Sequence, residues 1–345
     1  MSGRISIEPA DPRYGLADQV VWSQDEVEAV ELAEDASLQS HTIASPAGAR
    51  PIAFVDGVRR SEAWLYYDDA AAPPAPTGDG PAGVTARGLA GAFGVGCVRV
   101  EANRRPEFGE HRIERLLIWG SGASVDDALP DVEGGWRWRA AAIPDVDPDA
   151  PLHELQRRMR IAEAELAEEL AAGELLTVLD GTLATVRAPD VAIVGYVKTH
   201  HRALLAPDQH ALVPRLRAGE RTTLFQLHRQ GLRGRPYSCY FRLADSGPLA
   251  SPWSGIVRLE VPESGGLERA RRLIDAAAAV LAPFAGVPHR DPRAPQNLQP
   301  IGALETHLRH LLGSPALAMR AVRDAVARSR VDALAGAGAP TAEVM

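Results

Sequence analysis

Two short apolar runs in this chain each end in aspartate followed by glycine: Pro51-Ile52-Ala53-Phe54-Val55-Asp56-Gly57 and Leu175-Leu176-Thr177-Val178-Leu179-Asp180-Gly181. Runs of this kind read as central strands buried on both faces. Each strand then delivers a carboxylate at its C-terminal end, and the glycine lets the chain turn. Asp-Gly is also the commonest turn dipeptide, so one such strand says little. Two of them suggest carboxylates meeting at one sheet edge, which is how an oxygen-ligated divalent cation site is often built.

A second feature is a single cation. Of the 37 Lys and Arg residues only Lys198 is a lysine. In a chain this rich in Arg, a remaining lysine marks a position where a compact ammonium is needed and a planar guanidinium does not fit. It follows the apolar run 191–197 directly, as Lys198-Thr199-His200-His201. No acid or histidine stands near His200 and His201 at ligand spacing, which argues against a transition-metal site there. Further on, Arg215, Arg217, Arg221, Arg229, Arg233 and Arg235 are opposed only by Glu220 and accompanied by Phe225 and Tyr237. Such a stretch could follow a phosphate backbone even in a protein whose net charge is −8.

The elements that must position these groups follow from periodicity. The residues 1–45 read as an N-terminal extension, with an acidic helix over 23–36 capped by Ser23. Strands are expected at 51–56, 61–67, 88–100 and 112–119, joined only by loops, as an antiparallel meander. The Pro- and Gly-rich segment 69–85 and the segment 121–150 are inserted loops. From Leu152 to Leu170, Leu152, Leu155, Met159, Ala162, Leu166 and Leu170 form one apolar helical stripe. Glu163 borders that stripe, Glu165, Glu168 and Glu169 less closely, and Gly173 ends the helix. Strands follow at 175–180, 191–197, 237–243 and 255–261. Helices follow at 267–282, 300–312, carrying Glu305, His307 and His310, and 316–334. The tail 335–345 is expected to be flexible.

Composition sets outer limits. A chain of 345 residues, 46% hydrophobic, can bury a sizeable core. Two cysteines, Cys97 and Cys239, make no framework of bridges and fit a reducing cytoplasm. No segment is apolar for long enough to span a bilayer as a helix, so no membrane partner is expected. Val178-Leu179-Asp180-Gly181-Thr182 approaches the Asp-x-Asp-Gly-Thr motif of haloacid-dehalogenase phosphatases, but valine stands where their nucleophilic aspartate would be. The aspartyl-phosphate route is therefore closed.

The order of elements is that of the ribonuclease-H-like fold: a strand with Asp, a meander, a helix with Glu, a second strand with Asp, and a late helix with His. With Phe54-Val55-Asp56-Gly57, Val178-Leu179-Asp180-Gly181-Thr182-Leu183, Val194-Gly195-Tyr196-Val197-Lys198 and Gln299-Pro300-Ile301-Gly302-Ala303-Leu304-Glu305-Thr306-His307, the chain resembles the NurA-domain nucleases over residues 50–312. The resemblance implies an α/β fold, a ribonuclease-H-like mixed sheet flanked by helices, with a nuclease domain over 46–330 and a helical C-terminal part. It implies a manganese- or magnesium-dependent nuclease that resects DNA 5′ to 3′ in repair or defence, as a cytoplasmic homodimer working with a HerA-type hexameric ATPase. Carried over by position, Asp56 and Asp180 are metal ligands, Glu163 is the helical acid with Glu165 as the other choice, Lys198 contacts the scissile phosphate, and His307 ligates or shuttles a proton. The family has tyrosine where this chain has Gln299, which points to altered substrate positioning or reduced activity. The alternative is a nuclease-fold subunit that docks on a motor ATPase with weak or no catalysis.

Overall fold

Residues Ile52–Asp68 form one strand, β4, at the centre of the sheet. Its side chains alternate between two cores. Ile52, Phe54 and Val58 face one apolar cluster, while Ala53 and Val55 face another. This is the two-faced burial expected of a central strand. The computed structural model describes residues 4–9, 27–44, 51–68, 86–101, 104–121, 136–173, 175–188, 190–200, 203–229, 234–245, 250–287 and 294–337.

In chain order the elements are β1 (Arg4–Pro9), β2 (Val27–Leu32), β3 (Ser40–Thr42), β4, β5 (Ala86–Val100), β6 (Glu107–Trp119), β7 (Arg139–Ala142) and α1 (Ala150–Ala172). Then come β8 (Leu176–Asp180), β9 (Ile193–Val197), α2 (Pro207–His210), β10 (Glu220–Thr222), β11 (Phe225–Arg229), β12 (Tyr237–Arg242) and β13 (Ile256–Val261). The helices α3 (Gly266–Leu281), α4 (Gln299–Leu311) and α5 (Pro315–Ala337) close the described chain.

The molecule is α/β, with one large mixed sheet of 13 strands whose main path runs β2-β11-β12-β13-β9-β8-β4-β5-β6-β7. Within it β4, β8 and β9 are parallel neighbours, and β5 and β6 continue from β4 as an antiparallel meander. Helix α1 covers one face through Leu155, Met159 and Leu166. Helices α3 and α4 cover the other through Ile274, Ile301, Leu304 and Leu308. Gly94 and Gly96 of β5 let α4 lie close, since a Cβ on Gly96 would sit 3.2 Å from the Leu308 side chain. Helix α5 packs Val322 and Ala325 against Leu65 and Trp119 at the far end of β4. Among the described residues no helix is long and apolar enough to cross a membrane.

Three expectations are corrected. The acidic segment expected as a helix over 23–36 is instead the strand β2 over Val27–Leu32, paired antiparallel to β11. Val30 and Leu32 pack against the cluster of Phe225 and Leu227 while Glu31 is exposed, so sheet pairing overrides helical propensity. Strands 51–56 and 61–67 are one strand, irregular only between Ser61 and Ala63. Its polar middle is held by tertiary partners. Arg60 donates to the carbonyls of Leu312 (2.9 Å) and Gly313 (2.6 Å), and the buried Glu62 accepts from Trp138 Nε1 (2.9 Å).

Finally, Asp56-Gly57 is not a turn. Gly57 lies inside β4, opposite Val95 of β5. It is glycine because α1 is so close: a Cβ there would lie 2.5 Å from Glu163 Oε1 and 3.0 Å from Met159 Cγ. Gly57→Ala is therefore expected to destabilise the protein by about 1–3 kcal/mol through overpacking, read from urea unfolding midpoints; an unchanged midpoint would contradict this packing. Gly181, by contrast, does turn the chain, with φ +118°. Gly173 follows α1 with φ −83°, ending it without a left-handed residue. Segment 69–85, most of 121–135 and the tail beyond 337 lie outside the described residues.

Candidate metal centre

Parity along three parallel strands assembles the site. On β4 and β8 the even-numbered residues Ile52, Phe54, Leu176 and Val178 face the α3/α4 side, and Val194 and Tyr196 do so on β9. Asp56, Asp180 and Lys198 continue those rows and so point to the same face. The register pairs Phe54 with Val178 and Asp180 with Tyr196, which brings the three residues side by side at the strand ends. Lys198 Nζ donates to Asp180 Oδ2 at 2.6 Å.

The third acid comes from α4. One ligand oxygen each from Asp56, Asp180 and Glu305 lies within 4.8 Å of the others. Ligand distances of 2.0–2.6 Å allow oxygen separations up to roughly 5 Å across one centre, so the trio fits an oxygen-coordinated divalent cation. Asp56 is 5% exposed, and Glu305 keeps 17% of its side chain open to solvent. Asp180 is bonded to Lys198, Glu305 to Arg309 (2.8 Å) and Glu163 to Arg160 (2.9 Å). Asp56 alone of the four carboxylates has no bonded cation among the described residues.

The electrostatics follow from that arrangement. Burial, and then the Asp180 and Glu163 carboxylates, push the Asp56 carboxyl well above the ordinary carboxylate range. Burial also raises Glu163, against the opposing pull of Arg160. Burial works against the charge on Lys198, yet Asp180, Asp56 and Glu305 outweigh it and its pKa rises. A carboxyl raised in the folded state holds a proton that the unfolded chain has released. Stability therefore falls as pH rises from the unfolded value near 4 toward the raised folded value. In EDTA at pH 7.5, Asp56→Asn is expected to stabilise the protein by about 1–3 kcal/mol, because a neutral amide carries no cost for either a buried, unpaired charge or a proton taken up on folding. The gain should shrink toward pH 4. A urea titration at both pH values reads it; Asp56→Asn less stable than wild type at pH 7.5 would contradict this electrostatic picture.

Glu163 is placed differently from its expected role. It is 1% exposed, whereas 57% of the Glu165 side chain is exposed, which separates the two helical candidates. Yet Glu163 lies on the α1 side of the sheet against Gly57, behind the face to which Asp56 points. Its Oε2 accepts from Arg160 Nη1, which also reaches the Asp180 carbonyl at 2.9 Å, and its Oε1 is buried without a hydrogen-bond partner. Glu168 accepts from the backbone N–H groups of Arg187 and Ala188, and Glu169 pairs with Arg112.

His307 is not among the clustered ligand atoms. Its ring stacks on Phe108 with centroids 4.1 Å apart and meets His111 edge-on at 6.1 Å. The reason is helical geometry. Glu305 and His307 lie about 200° apart on α4, on opposite flanks of the buried Leu304–Leu308 stripe. Glu305 therefore faces β4 and β8, while His307 faces β6. The sequence signal that found Glu163, an acid bordering an apolar helical stripe, applies equally to Glu305 beside Leu304 and Leu308. Gln299 donates to the Ala285 carbonyl at 2.9 Å. It stands about 9 Å along the helix from Glu305.

The arginine stretch does not line this site. Strand β11 is five strand positions from β4, roughly 24 Å at the usual spacing. Arg221 is buried and paired with Glu34 (2.6 Å) and Asp275 (2.7 Å), so it is structural. Arg215, Arg217 and Arg235 are exposed. Arg229 ends β11, its side chain lying outside the description, and Arg233 lies outside the described residues. His200 bonds the Ile256 carbonyl and packs against Tyr240 and Trp253, while His201 lies outside the described residues. No protein-family model matches the chain, and no curated protein matches it.

Proposed function

We propose that the chain is a divalent-cation-dependent nuclease of ribonuclease-H-like architecture, related in kind to the NurA-domain nucleases. One observation carries the reading: Asp56, Asp180 and Glu305, from elements far apart in sequence, present ligand oxygens within 4.8 Å of one another beside Lys198. The architectural part is supported by the neighbour order β6-β5-β4-β8-β9, with β4, β8 and β9 parallel and the meander antiparallel.

A bound Mn²⁺ or Mg²⁺ would supply charge neutralisation at a phosphodiester and lower the pKa of a water. Asp56, Asp180 and Glu305 would hold it. Lys198 fixes one Asp180 oxygen, which leaves the other for the ion, and offers its remaining N–H donors to a phosphate oxygen. Partial exposure of Glu305 leaves an approach from solvent on the α4 side. His307 and Phe108 lie across α4, where they are available to a substrate base rather than to the ion. DNA as substrate, work beside a hexameric HerA-type ATPase, and a homodimeric, cytoplasmic protein belong to the same proposal.

The test is degradation of end-labelled DNA with Mn²⁺, Mg²⁺ or EDTA, with and without such an ATPase. Mn²⁺-dependent products that vanish in EDTA and in Asp180→Ala are expected. No degradation under any of these conditions would reject the enzyme reading and favour a docking subunit, the alternative that Gln299 suggests.

A further inference from the structure

We infer that Arg160 occupies the place of a second cation, so that this site takes one divalent ion per chain; the inference rests on the cation site proposed above. The first ground is geometric. Two-ion sites need carboxylates that serve two centres some 3.5–4 Å apart. Here the helical acid that would serve the second centre already gives its Oε2 to Arg160, while its Oε1 is buried without a hydrogen-bond partner. Arg160 Nη1 lies 2.9 Å from Glu163 Oε2 and 2.9 Å from the Asp180 carbonyl, tying α1 to the end of β8. Its guanidinium also lies over Gly181, where a Cβ would meet Nη1 at 3.1 Å. A second backbone contact, from Thr185 Oγ1 to the Arg160 carbonyl, fixes this turn of α1.

The second ground is charge. Four carboxylates lie about the ends of β4 and β8: Asp56, Asp180 and Glu305 clustered on the α4 side, and Glu163 on the α1 side. Two cations bonded to them, Arg160 with 41% of its side chain exposed and Lys198 with 17%, leave two negative charges when all four acids are ionised, which one divalent ion neutralises. Arg309, which reaches Glu305 from solvent with 56% of its side chain exposed, adds one positive charge at most. With one ion the cluster stays within one charge of neutral. With two it exceeds neutrality by two or three charges in a largely buried site, which is strongly disfavoured. Arg160 is thus a positioning residue: it holds Glu163 on the α1 side and excludes a second ion there.

Calorimetric titration of the full chain with MnCl₂, after EDTA treatment and in phosphate-free buffer, tests this through stoichiometry. Wild type and Arg160→Lys are expected to bind one ion, Arg160→Gln two, and the double variant Arg160→Gln/Glu163→Gln one again. Two ions on wild type, or a folded Arg160→Gln still at one, overturns the inference. Should Arg160→Gln not fold, the wild-type stoichiometry decides alone. A chain that takes up no Mn²⁺ loses the cation site and this inference together. One bound ion in a chain that cleaves no DNA leaves the inference standing and rejects the nuclease reading.

Discussion

Asp56→Ala is expected to lower Mn²⁺-dependent DNA cleavage on the order of 10³-fold or more while leaving the protein folded. A cation at a phosphodiester contributes several kcal/mol to the transition state, and about 1.4 kcal/mol is tenfold in rate. Asp56 is the carboxylate on which that contribution depends most. Its neighbours already have partners, Asp180 in Lys198, Glu305 in Arg309 and Glu163 in Arg160. It sits deepest on the shared face, 5% exposed, and its carboxyl is the one pushed well upward by burial and by other acids. The same crowding means that the ion-free protein gains from its loss. Activity and stability should therefore move in opposite directions in Asp56→Asn, as at sites built for function rather than stability. End-labelled DNA assays beside thermal melts measure both; Asp56→Ala retaining more than a tenth of wild-type cleavage would contradict its assigned role.

The second large effect separates two residues of one helix. Glu305→Gln is expected to weaken Mn²⁺ binding and cleavage by roughly 10²-fold or more, since one of three ligand charges is lost. His307→Ala is expected to leave Mn²⁺ affinity within about twofold. It removes a ring that stacks on Phe108 at 4.1 Å, so its cost falls on stability and on DNA affinity. The contrast is informative because the resemblance to the NurA-domain motif points to the histidine, whereas the clustered ligand atoms include Glu305. Mn²⁺ titrations of both variants read it directly. Loss of Mn²⁺ binding in His307→Ala, with Glu305→Gln unaffected, would reverse the assignment.

How much of this was legible in the residues depended on whether local pattern or tertiary contact decided each element. The strand-Asp pairs could be read because the runs before Asp56 and Asp180 are apolar but for Thr177, and parity then fixes which face the acids share. Lys198 stood out by being the only lysine. Helix α1 followed from its stripe, and burial distinguishes Glu163 from Glu165. Other features depended on distant partners. The polar Arg59-Arg60-Ser61-Glu62 breaks the apolar pattern of β4, yet the strand continues because Gln156, Leu312, Gly313 and Trp138 receive those side chains. Glu28 and Glu31 made β2 look helical, and only pairing with β11 settles it. Arg221 looked like part of a solvent-facing basic run until its partners Glu34 and Asp275, 187 and 54 residues away in sequence, were seen. Glu305 was passed over for His307 because a motif match directed attention two residues further along the same helix.

The central claim is that Asp56, Asp180 and Glu305 hold a divalent cation. Anomalous diffraction at the manganese edge, from crystals of the full chain grown with MnCl₂, tests it most directly. The account predicts one strong peak within about 2.0–2.6 Å of an oxygen from each of these three residues. A peak only at Glu34, Asp35 and His41, the other grouping of ligand atoms among the described residues, or none at either place, would contradict it.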